Sequence, residues 1–104
     1  MAIDFEKLKI IETVDFGEYH PAYEGQDIEV WVNPSRRAWQ EHPIDEDVEG
    51  SHARAFFCTV WQCDGDTYDQ FQDAAAFGLW DYVVNETSRL VTEYSDKRKN
   101  PEKV

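Results

Sequence analysis

At 104 residues the chain is long enough to bury one hydrophobic core and too short for a second independent one. Its apolar fraction of 41%, in which four Trp, five Tyr and six Phe supply the largest side chains, argues against disorder throughout. A formal charge of -12 argues against direct nucleic acid binding, and no apolar run approaches the ~20 residues that span a bilayer.

The charge divides the chain in two. Residues 1–96 hold 21 Asp and Glu against six Lys and Arg, a net of -15, and read as a single acidic domain. Residues 97–104 form a basic tail in which Lys97, Arg98, Lys99 and Lys103 face only Glu102. The opening Met1-Ala2-Ile3-Asp4-Phe5-Glu6 lacks the basic-then-apolar order of a signal peptide, so the cytoplasm is the expected location. Cys58 and Cys63 are too few for a disulfide scaffold and read as reduced thiols, aimed at opposite faces if both lie on one strand.

In chain order, residues 8–16 are rich in β-branched side chains and place Ile10, Glu12, Val14 and Phe16 on one parity, which predicts a strand. Gly17, Pro21 and Gly25 mark a turn-rich stretch before residues 27–33, which alternate cleanly. Ile28, Val30 and Val32 are expected to face the core, with Glu29 and Trp31 opposite, and the two strands to pair antiparallel. Asn33-Pro34 predicts a helix start with Asn33 as cap, running from Pro34 to about Glu41. His42-Pro43 closes it, and Asp45, Glu46, Asp47, Glu49, Gly50 and Ser51 are expected to form a mobile acidic linker.

Residues 53–63 mix helix formers with an aromatic, β-branched centre, so a strand and a buried helix both fit. Asp64-Gly65-Asp66 predicts a turn, and Thr67 to Gln72 lead into the strongest helical pattern, from Asp73 to about Asp96. There Phe77, Trp80, Val83, Val84, Thr87, Leu90, Val91 and Tyr94 recur at three- and four-residue steps along one stripe. Lys97, Arg98 and Lys99 then meet the negative end of the helix dipole, and Asn100-Pro101 stops the helix. The expected architecture is α+β: a small antiparallel hairpin or sheet packed on a long C-terminal amphipathic helix, with one short helix after the hairpin.

No catalytic or cofactor motif emerges. Asp64, Asp66 and Asp69 resemble a calcium loop superficially, but Gly65 sits between the first two acids and Ala75 occupies the twelfth position. His42, His52, Cys58 and Cys63 are spaced ten, six and five apart, which matches no zinc finger or ribbon. Cys58, in its aromatic run, reads as a small buried hydrophobe rather than a nucleophile. Two groups suit recognition instead. Trp31 and Trp39 either cap the core edge or anchor an interface, and Trp61 is a further candidate anchor. Asp45, Glu46, Asp47 and Glu49, with Glu41 beside them, form either a solvated loop or a docking patch for a basic partner.

Three segments carry a resemblance: Val14-Asp15-Phe16-Gly17-Glu18-Tyr19 with its paired strand ending Val30-Trp31-Val32-Asn33-Pro34, the run Val60-Trp61-Gln62-Cys63-Asp64-Gly65, and the closing amphipathic helix. Together they resemble the tail assembly chaperones, or tail assembly proteins, of long-tailed bacteriophages. Gln62 departs from that pattern, which carries Asn there, and the stretch between Pro34 and Phe56 is unusually acidic for it. The resemblance implies a non-enzymatic protein without cofactor that binds a tape measure or tail tube protein in the host cytoplasm, or stays in the virion, with homo-oligomerisation open. A different class also suits the charge: an acidic inhibitor that places carboxylates where a host defence or DNA-processing enzyme expects phosphates.

Overall fold

The computed structural model describes residues 2–99. Its only sheet among them is a hairpin, β1 (Ile11–Asp15) against β2 (Asp27–Trp31), antiparallel with Val14 opposite Ile28 and Ile11 opposite Trp31. Val14 and Val30 turn inward and are buried, whereas Ile10 is exposed and Glu12 points to solvent, so the inner parity of β1 holds only from Val14 on. Two short 3-10 turns, Phe16–Glu18 and Pro21–Tyr23, carry the chain between the strands. Asp15 starts the first, its carboxylate accepting the Gly17 N–H at 2.8 Å.

Asn33 does not cap the next helix. Its carboxamide accepts the Ile10 N–H at 2.8 Å and donates to the Leu8 carbonyl at 2.7 Å, extending the hairpin's pairing beyond its last strand residue. With that side chain committed, the cap passes to Ser35, whose Oγ accepts the Ala38 N–H at 3.1 Å, and α1 is the short helix Arg36–Gln40.

The ambiguous stretch is the buried helix: α2 spans Ser51–Val60 and buries Ala55, Phe57, Cys58, Thr59 and Val60. The expected turn at residues 64–66 is instead a helix start. Asp64 caps α3 (Gly65–Ala74) by accepting the Thr67 N–H at 2.8 Å, which holds its carboxyl below the usual carboxylate range. Ala75 is extended, and this break separates α3 from α4 (Phe77–Lys99) where one continuous helix from Asp73 was expected. Residues 97–99 therefore belong to the helix itself, while the Asn100-Pro101 stop lies outside the described residues.

The core sits where the inner face of the hairpin meets α2, α3 and α4. Val30, Val60 and Val83 have no exposed surface, and each such side chain contributes about 1.5–3 kcal/mol by leaving water. Around them lies an aromatic cluster centred on Trp61, whose ring centre is 4.7 Å from Phe57, 5.7 Å from Phe71 and 5.9 Å from Trp80. On α4 the buried line is Leu79, Val83 and Thr87, with Trp80, Val84, Leu90, Val91 and Tyr94 packed alongside. Phe77 departs from the predicted stripe and is 88% exposed: α4 restarts there after the break at Ala75, and its buried line begins only at Leu79. On the outer surface Arg89 holds α4 with ion pairs to Glu86 and Glu93, each 2.7 Å long.

Candidate functional site

The face built by α1, the acidic loop and α2 gathers most of the residues singled out for recognition. Trp39, on the outer side of α1, is 40% exposed and stacks on Phe56 of α2 with ring centres 6.0 Å apart. Phe56 was not anticipated as a site residue; on α2 it lies one turn from Ala53, on the same side of the helix. Ala53 in turn lines a groove of about 520 Å³ whose other walls include Asp45, Val48, Glu49, Arg54 and Asp69.

Hydrogen bonds shape that loop. The Asp45 N–H donates to Ser51 Oγ at 2.7 Å, the Asp47 N–H to Asp45 Oδ1 at 3.0 Å, and the Val48 N–H to the Asp45 carbonyl at 3.0 Å. Gly50, at φ +82, turns the chain into α2 in a conformation other residues adopt reluctantly. The result presents Asp45, Glu46, Asp47 and Glu49 to solvent, together with two apolar side chains, Ile44 (48% exposed) and Val48 (54%). Ile44 and Val48 were missed in the sequence, although two aliphatics four apart in an acidic run were the available signal.

The acidic loop is electrostatically one-sided, whereas α1 beside it carries the exposed Arg36 and Arg37. Arg54, which lines the groove, is held by Asp69 through two bonds, Nη2 to Oδ2 at 3.0 Å and Nε to Oδ1 at 3.3 Å, which raise the guanidinium pKa further. Among the described residues, no ion pair engages Asp45, Glu46, Asp47 or Glu49. Gly65 makes room for the Arg54 clasp, since a Cβ there would collide with the guanidinium as it is placed.

Trp31 and Trp61 are placed elsewhere. Trp31 sits on the outer face of the hairpin, half-buried, with Lys9 Nζ 4.5 Å from its ring centre. It lines a recess of about 360 Å³ with Ala38, Glu41, His42, Thr59, Gln62 and Cys63, so it supports α1 from beneath rather than sharing Trp39's surface. Its indole N–H is buried without a protein partner. Trp61 is 6% exposed and is a core residue, not a surface anchor: a large indole following the buried end of α2 has nowhere to go but inward.

Among the described residues, no three His, Cys, Asp or Glu side chains converge to hold a metal ion. None of the described helices is long and apolar enough to cross a membrane. No family model, curated protein or solved structure matches the chain.

Proposed function

We propose that this chain is a non-enzymatic protein-binding domain of bacteriophage tail assembly, which holds a tape measure or tail tube protein in the host cytoplasm or accompanies it into the virion. The tail assembly assignment rests on the sequence resemblance. The binding role rests on one observation: exposed Ile44 and Val48 stand among four carboxylates that no ion pair of the described residues engages, with Trp39 exposed on α1. An aromatic and two aliphatic anchors framed by like charge suit a partner segment that is apolar on one side and basic at its margins. The large negative charge of the body keeps unoccupied copies apart.

Binding to a purified tape measure or tail tube protein, measured by titration calorimetry, tests this. Trp39→Ala combined with Val48→Ser is expected to weaken the complex by at least ~10-fold, the loss of one hot-spot anchor. Unchanged affinity would place the partner on another face.

The same uncompensated carboxylates favour a second reading, in which the loop occupies the basic channel of a nuclease in place of DNA. Asp45→Asn, Glu46→Gln, Asp47→Asn and Glu49→Gln together separate the two. Complete loss of binding, with affinity that falls steeply in salt and is competed by DNA, supports the inhibitor; a modest salt dependence supports the tail client.

A further inference from the structure

We propose that Cys58 and Cys63 form a redox-active pair that closes to an intrachain disulfide in the folded protein. This rests on the way α2 ends and is independent of the proposed function. The Cys63 N–H donates to the Cys58 carbonyl at 3.0 Å and the Gln62 N–H to the Thr59 carbonyl at 3.3 Å, with Gln62 at φ +56. These are the two bonds and the left-handed residue of a Schellman termination, in which the side chains five apart come together across the helix end. Most such helix ends close with an apolar contact. Here the two positions that the motif brings together carry thiols, Cys58 and Cys63. Spacing that separates two cysteines on a strand unites them on this turn.

The pair is asymmetric in access. Cys58 is 2% exposed, whereas Cys63 is half-buried and borders both the Trp31 recess and a second, apolar recess beside Phe71. A small disulfide such as oxidised glutathione therefore meets Cys63 first. The Cys63 thiolate attacks, the glutathione S–S bond breaks and one glutathione thiol leaves. Cys58 then gives up its proton and attacks the Cys63 sulfur, displacing the second glutathione. Two S–H bonds become one S–S bond, and the two electrons and two protons leave on the two glutathione molecules. Burial pushes both thiols up, Cys63 to about 12, so closure is slow at neutral pH and quickens as the thiolate fraction rises.

The test equilibrates the full chain with oxidised and reduced glutathione at mildly alkaline pH, folded and in urea, followed by acid quenching, alkylation and intact mass measurement. The expected product is two hydrogens lighter and blocked at both cysteines. Its equilibrium constant is expected to be at least ~10-fold larger for the folded chain than in urea, since the helix end holds the sulfurs together. Cys58→Ser, which leaves Cys63 without a resolving partner, is expected to stop at the glutathione adduct. A stable glutathione adduct as the end product of the native sequence overturns the proposal. So does a disulfide that forms as readily in urea as in the fold.

Discussion

The indole N–H of Trp61 donates to Thr87 Oγ1 at 3.0 Å, joining the residue that ends α2 to the middle of α4 inside the core. Trp61 is 6% exposed and Thr87 has no exposed surface, so water cannot replace either partner. The bond makes the predicted stripe of α4 selective: a hydroxyl on an otherwise apolar line finds its purpose across the core. Thr87→Val keeps the shape and removes the acceptor. The expected cost is about 1–3 kcal/mol, read as a lower urea midpoint with unchanged slope, and Thr87→Ser is expected to recover much of it.

The two tryptophans that flank α2 are expected to respond very differently to truncation. Trp61→Ala opens the centre of the aromatic cluster and should cost about 3–5 kcal/mol, a large share of a small domain's stability. Trp39→Ala removes a partly exposed stack and should cost no more than ~1.5 kcal/mol. Urea denaturation of both variants checks the contrast. Equal losses would mean that Trp39 belongs to the core and not to a binding face.

Asp64 gives the fold a pH dependence of known sign. Its carboxylate is stabilised at the start of α3, so its pKa is lower folded than unfolded, and the benefit is complete above the ordinary carboxylate pKa. It disappears as pH falls through the folded value. Asp64→Asn retains an acceptor for the Thr67 N–H but not the charge. The melting temperature of the variant is expected to lie below the native one near neutrality, with the gap closing in acid.

Gln62 occupies the left-handed position that ends α2 and, as a residue with a Cβ, stands there at a cost. Gln62→Gly removes that strain and forfeits only an exposed hydrogen bond from Lys9 Nζ. A gain of about 0.5–1 kcal/mol is expected in thermal or urea unfolding. A loss would show that the Lys9 contact, which also holds that ammonium over Trp31, matters more than the backbone.

The alternation of residues 27–33 and the three- and four-residue recurrence from Trp80 to Tyr94 were legible, because each element buries one face along its length. Residues 53–63 were not. Phe56, Phe57, Val60 and Trp61 suit a strand by propensity, and only the packing of Phe57 on Tyr68 and of Trp61 on Tyr68, Phe71 and Trp80 decides for a helix. Cap assignment failed at Asn33 for a related reason: a long-range pair of hydrogen bonds to residues 8 and 10 outcompeted the local one. Of the recognition residues, the exposed acids and Trp39 were visible as types, but Trp61's burial depends on contacts that no local pattern contains.

Four of the six cations of the acidic body stand beside a carboxylate or an aromatic ring. Of its six, Arg37 faces Glu41, Arg54 clasps Asp69, Arg89 bridges Glu86 and Glu93, and Lys9 covers Trp31. Each is matched locally on the surface, and the net charge of the body stays at -15. Two copies approaching one another therefore meet as like-charged colloids, held apart over about 8–10 Å at physiological ionic strength. Added salt thins that cushion, and the bare rings of Phe5 and Phe77, 75% and 88% exposed, become the first surfaces able to touch.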